Sequence, residues 1–224
     1  MTTPATDEHG GPVLGEVRDR QWYARSVHEV VRDLLGAHLV RRTPEGSVTL
    51  RLTEVEAYDG AHDPGSHAYR GRSARNATMF GEPGRLYVYR HLGLHHCVNV
   101  VCGPRGQASA VLLRAGEVVD GAALARARRE TAGVCRSDRQ IAQGPGRLTV
   151  ALALTLADDG ADVTDPDGDV VLVVPGERPQ GVVEVGPRVG VSGEGGRADL
   201  FPWRYWLAGE PTVSAYRAVT ARRR

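Results

Sequence analysis

Between Ser26 and Gly36 the apolar positions Val30, Val31, Leu34 and Leu35 recur at helical spacing. Ser26-Val27-His28-Glu29 in front of them has the order of a capping box, with Ser26 at N-cap and Glu29 at N3. Gly36 supplies the stop. The period then changes. His38 to Arg42 reads as a strand, Thr43-Pro-Glu-Gly46 as a turn, and Val48 to Tyr58 as the returning strand of a hairpin. In that second strand Val48, Leu50 and Leu52 alternate with Thr49, Arg51 and Thr53. An unbroken period of two places Glu54, Glu56 and Tyr58 on the face of the three apolar residues. A carboxylate there is either paired or sits in a cleft where its pKa is adjusted for work. A bulge would void that parity.

Gly60 to Pro83, rich in Gly, Arg, Ser and Pro, reads as a long loop, and long ordered loops tend to be functional. Leu86 to Arg90 is a short strand with Tyr87 and Tyr89 on one face. Leu94 to Cys102 and Ala108 to Ala115 are strands around the turn Gly103-Pro-Arg-Gly106. Asp120 to Thr131 reads as a helix, and Gly144-Pro-Gly146 introduces another through Leu148 to Leu154. After an acidic, turn-rich stretch from Asp158 to Gly168, strands are expected at Val170 to Val174, Val182 to Val191 and Trp203 to Ala208. Hairpin-connected strands with a few helices predict an α+β fold with a mainly antiparallel sheet. Residues 1–20 read as a polar, flexible tail and 21–220 as one domain, a size that 224 residues allow. Trp22, Trp203 and Trp206 are assigned to packing.

Composition removes several classes. No apolar run is long enough to span a bilayer. The first ten residues lack the basic and apolar regions of a signal peptide. Cys97, Cys102 and Cys135 form no Cys-x-x-Cys pair and no disulfide framework, which suits a cytoplasmic, reducing compartment. All 28 Lys+Arg residues are arginine. The missing lysine excludes a P-loop, a pyridoxal phosphate imine and any lyase acting through a lysine Schiff base. The net charge is only +1, but it is unevenly spread. Ser66 to Leu148 holds 13 Arg against 5 acids, a surplus of 8; Asp158 to Asp199 holds 3 Arg against 10 acids, a deficit of 7. A basic middle beside an acidic segment fits one electropositive face and a nucleic-acid partner; charges pairing across the fold give the same count.

The window from Thr53 to Arg114 concentrates Glu54, Glu56, Tyr58, His62, His67, Tyr69, Tyr87, Tyr89, both asparagines and many arginines. Recognition of an extruded base needs rings on its faces, and Tyr58, His67 and Tyr89 are of that type. Hydrolysis of a glycosidic bond needs a carboxylate to deprotonate water, and Glu56 is of that type. Arg114 can hold a carboxylate ionised and oriented. Glu54 reads as a structural partner and His62 as a loop residue. Arg72, Arg75 and Arg90 are candidate phosphate contacts or simply solvated arginines. Gly144-Pro-Gly146 can approach a phosphate or be only a tight turn. His91, His95, His96, Cys97 and Cys102 cluster in sequence, but His91 and His95 would share a metal face only on a helix. That stretch reads as turn and strand, so no metal and no cofactor is expected.

Thr53-Glu-Val-Glu-Ala-Tyr58, His67, Arg75-Asn76-Ala-Thr-Met-Phe80 and Pro83-Gly-Arg-Leu-Tyr-Val-Tyr89 together resemble the alkyladenine (3-methyladenine) DNA glycosylase family. Cys97-Val-Asn99, Val111-Leu-Leu-Arg114-Ala, Gln143-Gly-Pro-Gly-Arg-Leu148 and Pro187-Arg-Val-Gly190 extend the resemblance from about Trp22 to Tyr216. It implies a monofunctional glycosylase that acts as a monomer on damaged purines in double-stranded DNA. It implies that Glu56 activates water, with Arg114 and the backbone at Val189 positioning it. Tyr58 and His67 would sandwich the flipped base, Tyr89 would close the pocket edge, and Asn99 would crowd the 2-amino group of guanine. The implied fold is a single α+β domain with a curved antiparallel sheet and a hairpin that enters the minor groove. Vertebrate members carry a tyrosine wedge at the hairpin tip. Here Arg90-His-Leu-Gly-Leu-His-His96 places Leu92 there, flanked by Leu94 and His95; leucine is an accepted wedge with less stacking. The rival readings are a metal-dependent hydrolase built on the His/Cys cluster and a non-catalytic protein that binds distorted DNA.

Overall fold

Strand β3 (Gly46–Asp59) is the axis around which the chain is arranged. In the computed structural model, which describes residues 15–176 and 181–216, β6 (Ser109–Asp120) runs along the whole of one edge of β3. The other edge is shared. β2 (His38–Thr43) pairs with its first half, and β9 (Arg204–Leu207) takes Glu54 to Glu56. The sheet therefore divides beside Thr53. Outward from β6 lie β5 (His95–Cys102) and then β4 (Leu86–His91); outward from β2 lie β7 (Val170–Val174) and β1 (Glu16–Val17); β8 (Val183–Gly186) caps β9. Every pairing is antiparallel. Among the described residues four short α-helices accompany this sheet: α1 (Arg20–Tyr23), α2 (Val27–Asp33), α3 (Ala122–Thr131) and α4 (Pro145–Ala151). The result is a single α+β domain with an open, mostly antiparallel sheet, as the pattern predicts.

The main core joins α2, through Val27, Val30 and Val31, and the turn after it, through Leu34 and Leu35, to the inner face of the sheet. Ser26 caps α2, but its hydroxyl accepts from the His28 amide at 3.2 Å, one position earlier than the expected capping box. The β2–β3 hairpin closes with Thr43 opposite Gly46, so Pro44 and Glu45 alone form its loop.

The parity expected along β3 does not hold. Val48, Leu50 and Leu52 face the main core, and so do Val55 and Ala57, which an unbroken period would turn away. The pairing with β6 explains the switch. Leu52 lies opposite Gly116 and Glu54 opposite Ala115, so Thr53 is the extra residue of a bulge. Val55 then pairs with Leu113, so Arg114 is passed over on β6. Two irregularities, one in each strand, thus turn Glu54 and Glu56 away from the apolar core and place Arg114 beside them.

A second, smaller core lies on the opposite face of β4, β5 and β6. Tyr87, Val101, Ala108 and Ala110 pack there on Ala68 and Met79 from the 60–83 loop, with Tyr89 alongside. That loop is ordered by short 3₁₀ turns at Gly60–His62 and Ala74–Phe80.

Other expectations shift at glycines and prolines. Asp120 ends β6, and the left-handed Gly121 (φ 72°) delays α3 to Ala122. α4 stops at Ala151, before Ala153 at φ 50°. Of Val182 to Val191 only Val183–Gly186 is strand; Pro187 and Gly190 (φ 78°) make the remainder a strap. Of the expected tail, residues 1–14 lie outside the described residues, and Glu16 and Val17 pair with β7.

Candidate active site

Glu54 and Glu56 are both 0% exposed, and charge in such a place must be matched. Glu54 is the anchor. Its Oε1 accepts from Arg114 Nε at 2.7 Å, Arg204 Nε at 2.6 Å and the Ser214 hydroxyl at 2.9 Å, and its Oε2 accepts from the Ser214 amide at 2.8 Å. Burial pushes its pKa up, but the Arg114 and Arg204 charges and the Ser214 bonds outweigh burial and hold it below the ordinary carboxylate value. The same matching raises Arg114: burial opposes its charge, and Glu56 and Glu54 more than restore it.

Glu56 is held from three sides. The Val189 amide donates to Oε1 at 2.7 Å, Arg114 Nη1 lies 3.3 Å from Oε1, and the Tyr58 hydroxyl donates to Oε2 at 2.9 Å. Burial, then the Glu56 charge, pushes the Tyr58 phenol well up, so it remains a donor. A carboxylate offers about four lone-pair directions; two accept hydrogen bonds, from the Val189 amide and Tyr58, and the Arg114 guanidinium lies against a third. The remaining one belongs to Oε2.

Arg188, fully buried, ties the strap that carries Val189 to the floor. Its guanidinium makes a bidentate pair with Asp63 (2.5 and 2.6 Å) and donates to the carbonyls of Ala57 at 2.9 Å and Gly195 at 2.7 Å. It also lies 4.5 Å from the Tyr58 ring centroid, a cation–π contact. One side chain thereby locates both Tyr58 and Val189, two of the three groups that hold Glu56.

Above this floor is a pocket of about 420 Å³. Tyr58, Arg114 and Val189 line its base, His67, Tyr89 and His95 its walls, and Asn99 with Cys97 lies at the β5 side. Glu56 sits beneath them. Tyr89 stacks on Tyr87 at 5.5 Å and meets the His67 ring edge-to-face at 4.5 Å. His67 Nδ1 bonds the Tyr87 hydroxyl at 3.1 Å. Partial burial, then the Arg75 and His91 charges, lowers the pKa of His67, so the imidazole is neutral near pH 7. The Tyr87 phenol is pushed up to about 12 by burial. Asn99 donates to the Tyr87 carbonyl at 3.1 Å.

The His67 loop is pinned by Asn76. Its buried amide donates to the His67 carbonyl at 2.9 Å and the Gly71 carbonyl at 3.0 Å, and its oxygen accepts from the Ser73 amide at 2.7 Å. Replacing Asn76 with alanine removes three part-buried hydrogen bonds to the loop backbone, each worth about 0.5–1.5 kcal/mol. Asn76→Ala is therefore expected to lower the urea midpoint at an unchanged m-value. An unaltered midpoint would show that the loop does not depend on it.

The remaining sequence candidates lie outside the pocket floor. Leu92 and Leu94 at the β4–β5 tip are each 78% exposed, and Leu92 adopts φ 48°, left-handed backbone that a leucine rarely occupies. Arg72, Arg75 and Arg90 are exposed and have no carboxylate partner among the described residues; Arg75 lies 5.8 Å from the Tyr89 ring. The His/Cys cluster stays partly together: His91, His95 and Cys97 line the pocket, with the His91 and His95 ring centroids 5.3 Å apart, whereas Cys102 is in the main core. Among the described residues no group of three or more His, Cys, Asp or Glu is placed to hold a metal ion. None of their helices is long and apolar enough to cross a membrane.

Sequence reasoning named Glu56, Arg114, Tyr58, His67, Tyr89, Asn99 and Val189, and the structure brings all seven to one place. It did not foresee Asp63, Arg188, Arg204 and Ser214. An arginine inside the apolar run at 182–191 was a readable signal for Arg188; nothing in the sequence marks Ser214.

The class these features define is that of an N-glycosylase, a hydrolase of N-glycosyl bonds: residues 21–211 match the family model described as Methylpurine-DNA glycosylase (MPG). The chain belongs to the methylpurine-DNA glycosylase family. It is 56% identical over 206 residues to a protein of Streptomyces avermitilis, covering 92% of this chain and 94% of that one. A protein of Leifsonia xyli subsp. xyli is 54% identical over 200 residues, covering 88% and 92%. One of Mycobacterium tuberculosis is 48% identical over 189 residues, covering 82% and 86%. All three are provisionally named 3-methyladenine DNA glycosylases.

Proposed function

We propose that this protein removes alkylated or deaminated purines from double-stranded DNA, with a water activated by Glu56, and leaves an abasic site. The observation that carries the reading is Glu56 itself: a buried carboxylate held by Arg114, the Val189 amide and Tyr58 under a ring-lined pocket. The target nucleotide leaves the stack at a cost of a few kcal/mol, least for damaged or mismatched bases. Tyr58 and His67 take its faces, Tyr89 closes the edge, and Asn99 crowds a 2-amino group.

Glu56 uses its free Oε2 lone pair to accept a proton from water. The water oxygen bonds to C1′ as the N-glycosidic bond breaks, and the bond electrons leave with the base. A cationic purine such as 3-methyladenine departs without an acid. A neutral base such as hypoxanthine needs a proton as it leaves, which reaches it from solvent through the His67 side of the pocket, since the imidazole itself is neutral near pH 7. With no lysine in the chain, no lysine imine forms, and the abasic strand is left uncut by that route. The relatives' names favour 3-methyladenine among the lesions. The protein works as a monomer in the cytoplasm, on the nucleoid.

The test is single-turnover excision from duplexes bearing hypoxanthine, ethenoadenine or a 3-methyladenine analogue, in EDTA. Free base with alkali-labile sites is expected. Activity lost in EDTA would point to the metal hydrolase, and tight binding without product to a distorted-DNA binder.

The β4–β5 tip supplies the wedge. Leu92→Ala is expected to slow excision from a fully paired duplex by about tenfold, a loss of about 1.4 kcal/mol, because an apolar wedge offsets part of the unstacking. A lesion in an unpaired bulge should be excised at nearly the wild-type rate. Equal slowing on both substrates would remove Leu92 from that role.

A further inference from the structure

Two walls of the pocket come from distant parts of the chain. The 60–67 loop supplies Gly65 and His67, and the strap at 187–196 supplies Val189 and the residues after it as far as Ser192. The first wall carries an imidazole for the base, and the second carries the amide that holds Glu56. Among the described residues no backbone–backbone hydrogen bond joins the loop to the strap, and their polar connection is the Arg188–Asp63 pair.

Each member of the pair organises its own segment. Asp63 Oδ1 accepts from the Gly65 amide at 2.8 Å and Oδ2 from the Asp59 amide at 3.3 Å. The Asp63 carbonyl accepts from the Ser66 amide at 2.9 Å, one residue before His67. Arg188 precedes Val189, closes the strap on the Gly195 carbonyl and lies on the Tyr58 ring. The two segments also touch directly. A Cβ on Gly195 would lie 2.3 Å from the Gly65 nitrogen, and one on Gly65 would meet Arg188 Nη2 at 2.6 Å and Val191 Cγ1 at 2.8 Å. At Gly195 backbone rests on backbone, so a shift of one segment is passed to the other.

Stability alone does not call for such a pair. Both side chains are 0% exposed, and apolar residues of similar volume often replace a buried ion pair at no loss. One donor is even left over, since Arg188 Nε has no partner. What a bidentate fork supplies is a fixed distance and angle between the segments that carry its two halves.

We propose that Asp63 and Arg188 are positioning residues that couple lesion recognition to water activation: the pair locks the His67 loop to the Val189 strap, so the wall that faces the base and the amide that holds Glu56 move as one body. The proposal rests on the DNA glycosylase reading. Neither side chain lines the pocket; each acts through Tyr58, His67 and Val189. A base seated between Tyr58 and His67 thereby fixes the Val189 amide, and with it the direction of the Glu56 carboxylate. Misplacing such a group by about 1 Å costs on the order of a hundredfold in rate.

The test uses the full chain with Arg188→Lys, Asp63→Asn and Gly195→Ala. The third leaves both charges in place and parts the two backbones, so it decides the matter if the buried-charge variants do not fold. Single-turnover excision of hypoxanthine at saturating enzyme is measured across pH, beside a Kd for the same duplex. The rate should fall on the order of a hundredfold while the Kd changes by less than about threefold. The acid limb of the pH–rate profile should move to higher pH, because a carboxylate that loses a donor is more easily protonated. The losses from His67→Ala and Arg188→Lys should combine to less than their product, as for groups in one network. Folded variants with the parental rate and pH profile would overturn the proposal, since a structural pair lowers only the melting temperature. Weaker binding with the parental rate at saturation would make the pair a binding element and overturn it too. Losses that multiply would overturn the coupling. A parent that excises nothing would overturn the glycosylase reading, and the proposal with it.

Discussion

Glu56→Gln is expected to bind lesion DNA and excise almost nothing, with a single-turnover rate reduced by about a thousandfold or more, inside the roughly 10²–10⁴ attributed to a general base. The substitution keeps the shape and removes the function. Glutamine has no basic oxygen to take a proton from water, and the developing positive charge at C1′ loses its nearest anion. Geometry adds to the loss. If the amide oxygen takes the Oε1 position, the NH₂ faces the Tyr58 hydroxyl, which can reverse its bond. If the NH₂ takes the Oε1 position, it meets the Val189 N–H and Arg114, donors against donors. Folding should survive, because Arg114 keeps its 2.7 Å bond to Glu54. The measurement is excision of hypoxanthine at saturating enzyme, beside a Kd for the same duplex. A near-parental rate would sink the mechanism whatever the affinity.

The sequence and the structure agree best where chemistry is local. The β2–β3 hairpin, the Tyr87 and Tyr89 face of β4 and the Ser26 cap were all readable because each depends on residues within a few positions. The seven pocket residues were readable because their motifs lie in a linked order. What was not readable is non-local. The switch from Leu52 to Val55 on the core face arises from paired irregularities in β3 and β6, which neither strand carries alone. Alternation counted along β3 therefore gave Glu54 and Glu56 the wrong face, though the inference that such carboxylates must be paired or working survives for both. Arg188 to Asp63, Arg204 to Glu54 and Ser214 to Glu54 join positions more than 100 residues apart, and single-sequence periodicity has no term for them. The charge asymmetry also becomes more specific. Two acids of the 158–199 segment pair with arginines from elsewhere in the chain, Asp158 with Arg41 and Asp162 with Arg20 and Arg85. Arg72, Arg75, Arg90 and Arg147 in the basic middle have no carboxylate partner among the described residues.

Glu54→Gln is expected to do the reverse of Glu56→Gln: to unfold the protein more easily rather than to stop chemistry at its source. Glu54 accepts four hydrogen bonds at 0% exposure, two of them from arginines. An amide can accept at only one end. With its oxygen toward Arg114 and Arg204, its NH₂ is driven against the Ser214 amide; turned over, it faces two guanidinium groups. Removing one partner from a buried ionic cluster costs about 3–5 kcal/mol, because the opposite charges stay buried. At about 2–4 °C per kcal/mol for a domain of this size, the melting temperature should fall by on the order of 10 °C. The pH dependence carries a second sign. The folded-state pKa of Glu54 is held below its ordinary 4.5, so its contribution is present in full above that value and lost as pH falls through the lower folded value. The stability gap between parent and Glu54→Gln should therefore be constant near neutrality and narrow progressively below about pH 4.5, when measured by urea unfolding across that range. Excision by the variant should fall only as far as Arg114 drifts from Glu56. A variant as stable as the parent but inert toward lesions would make Glu54, and not Glu56, the carboxylate that activates water.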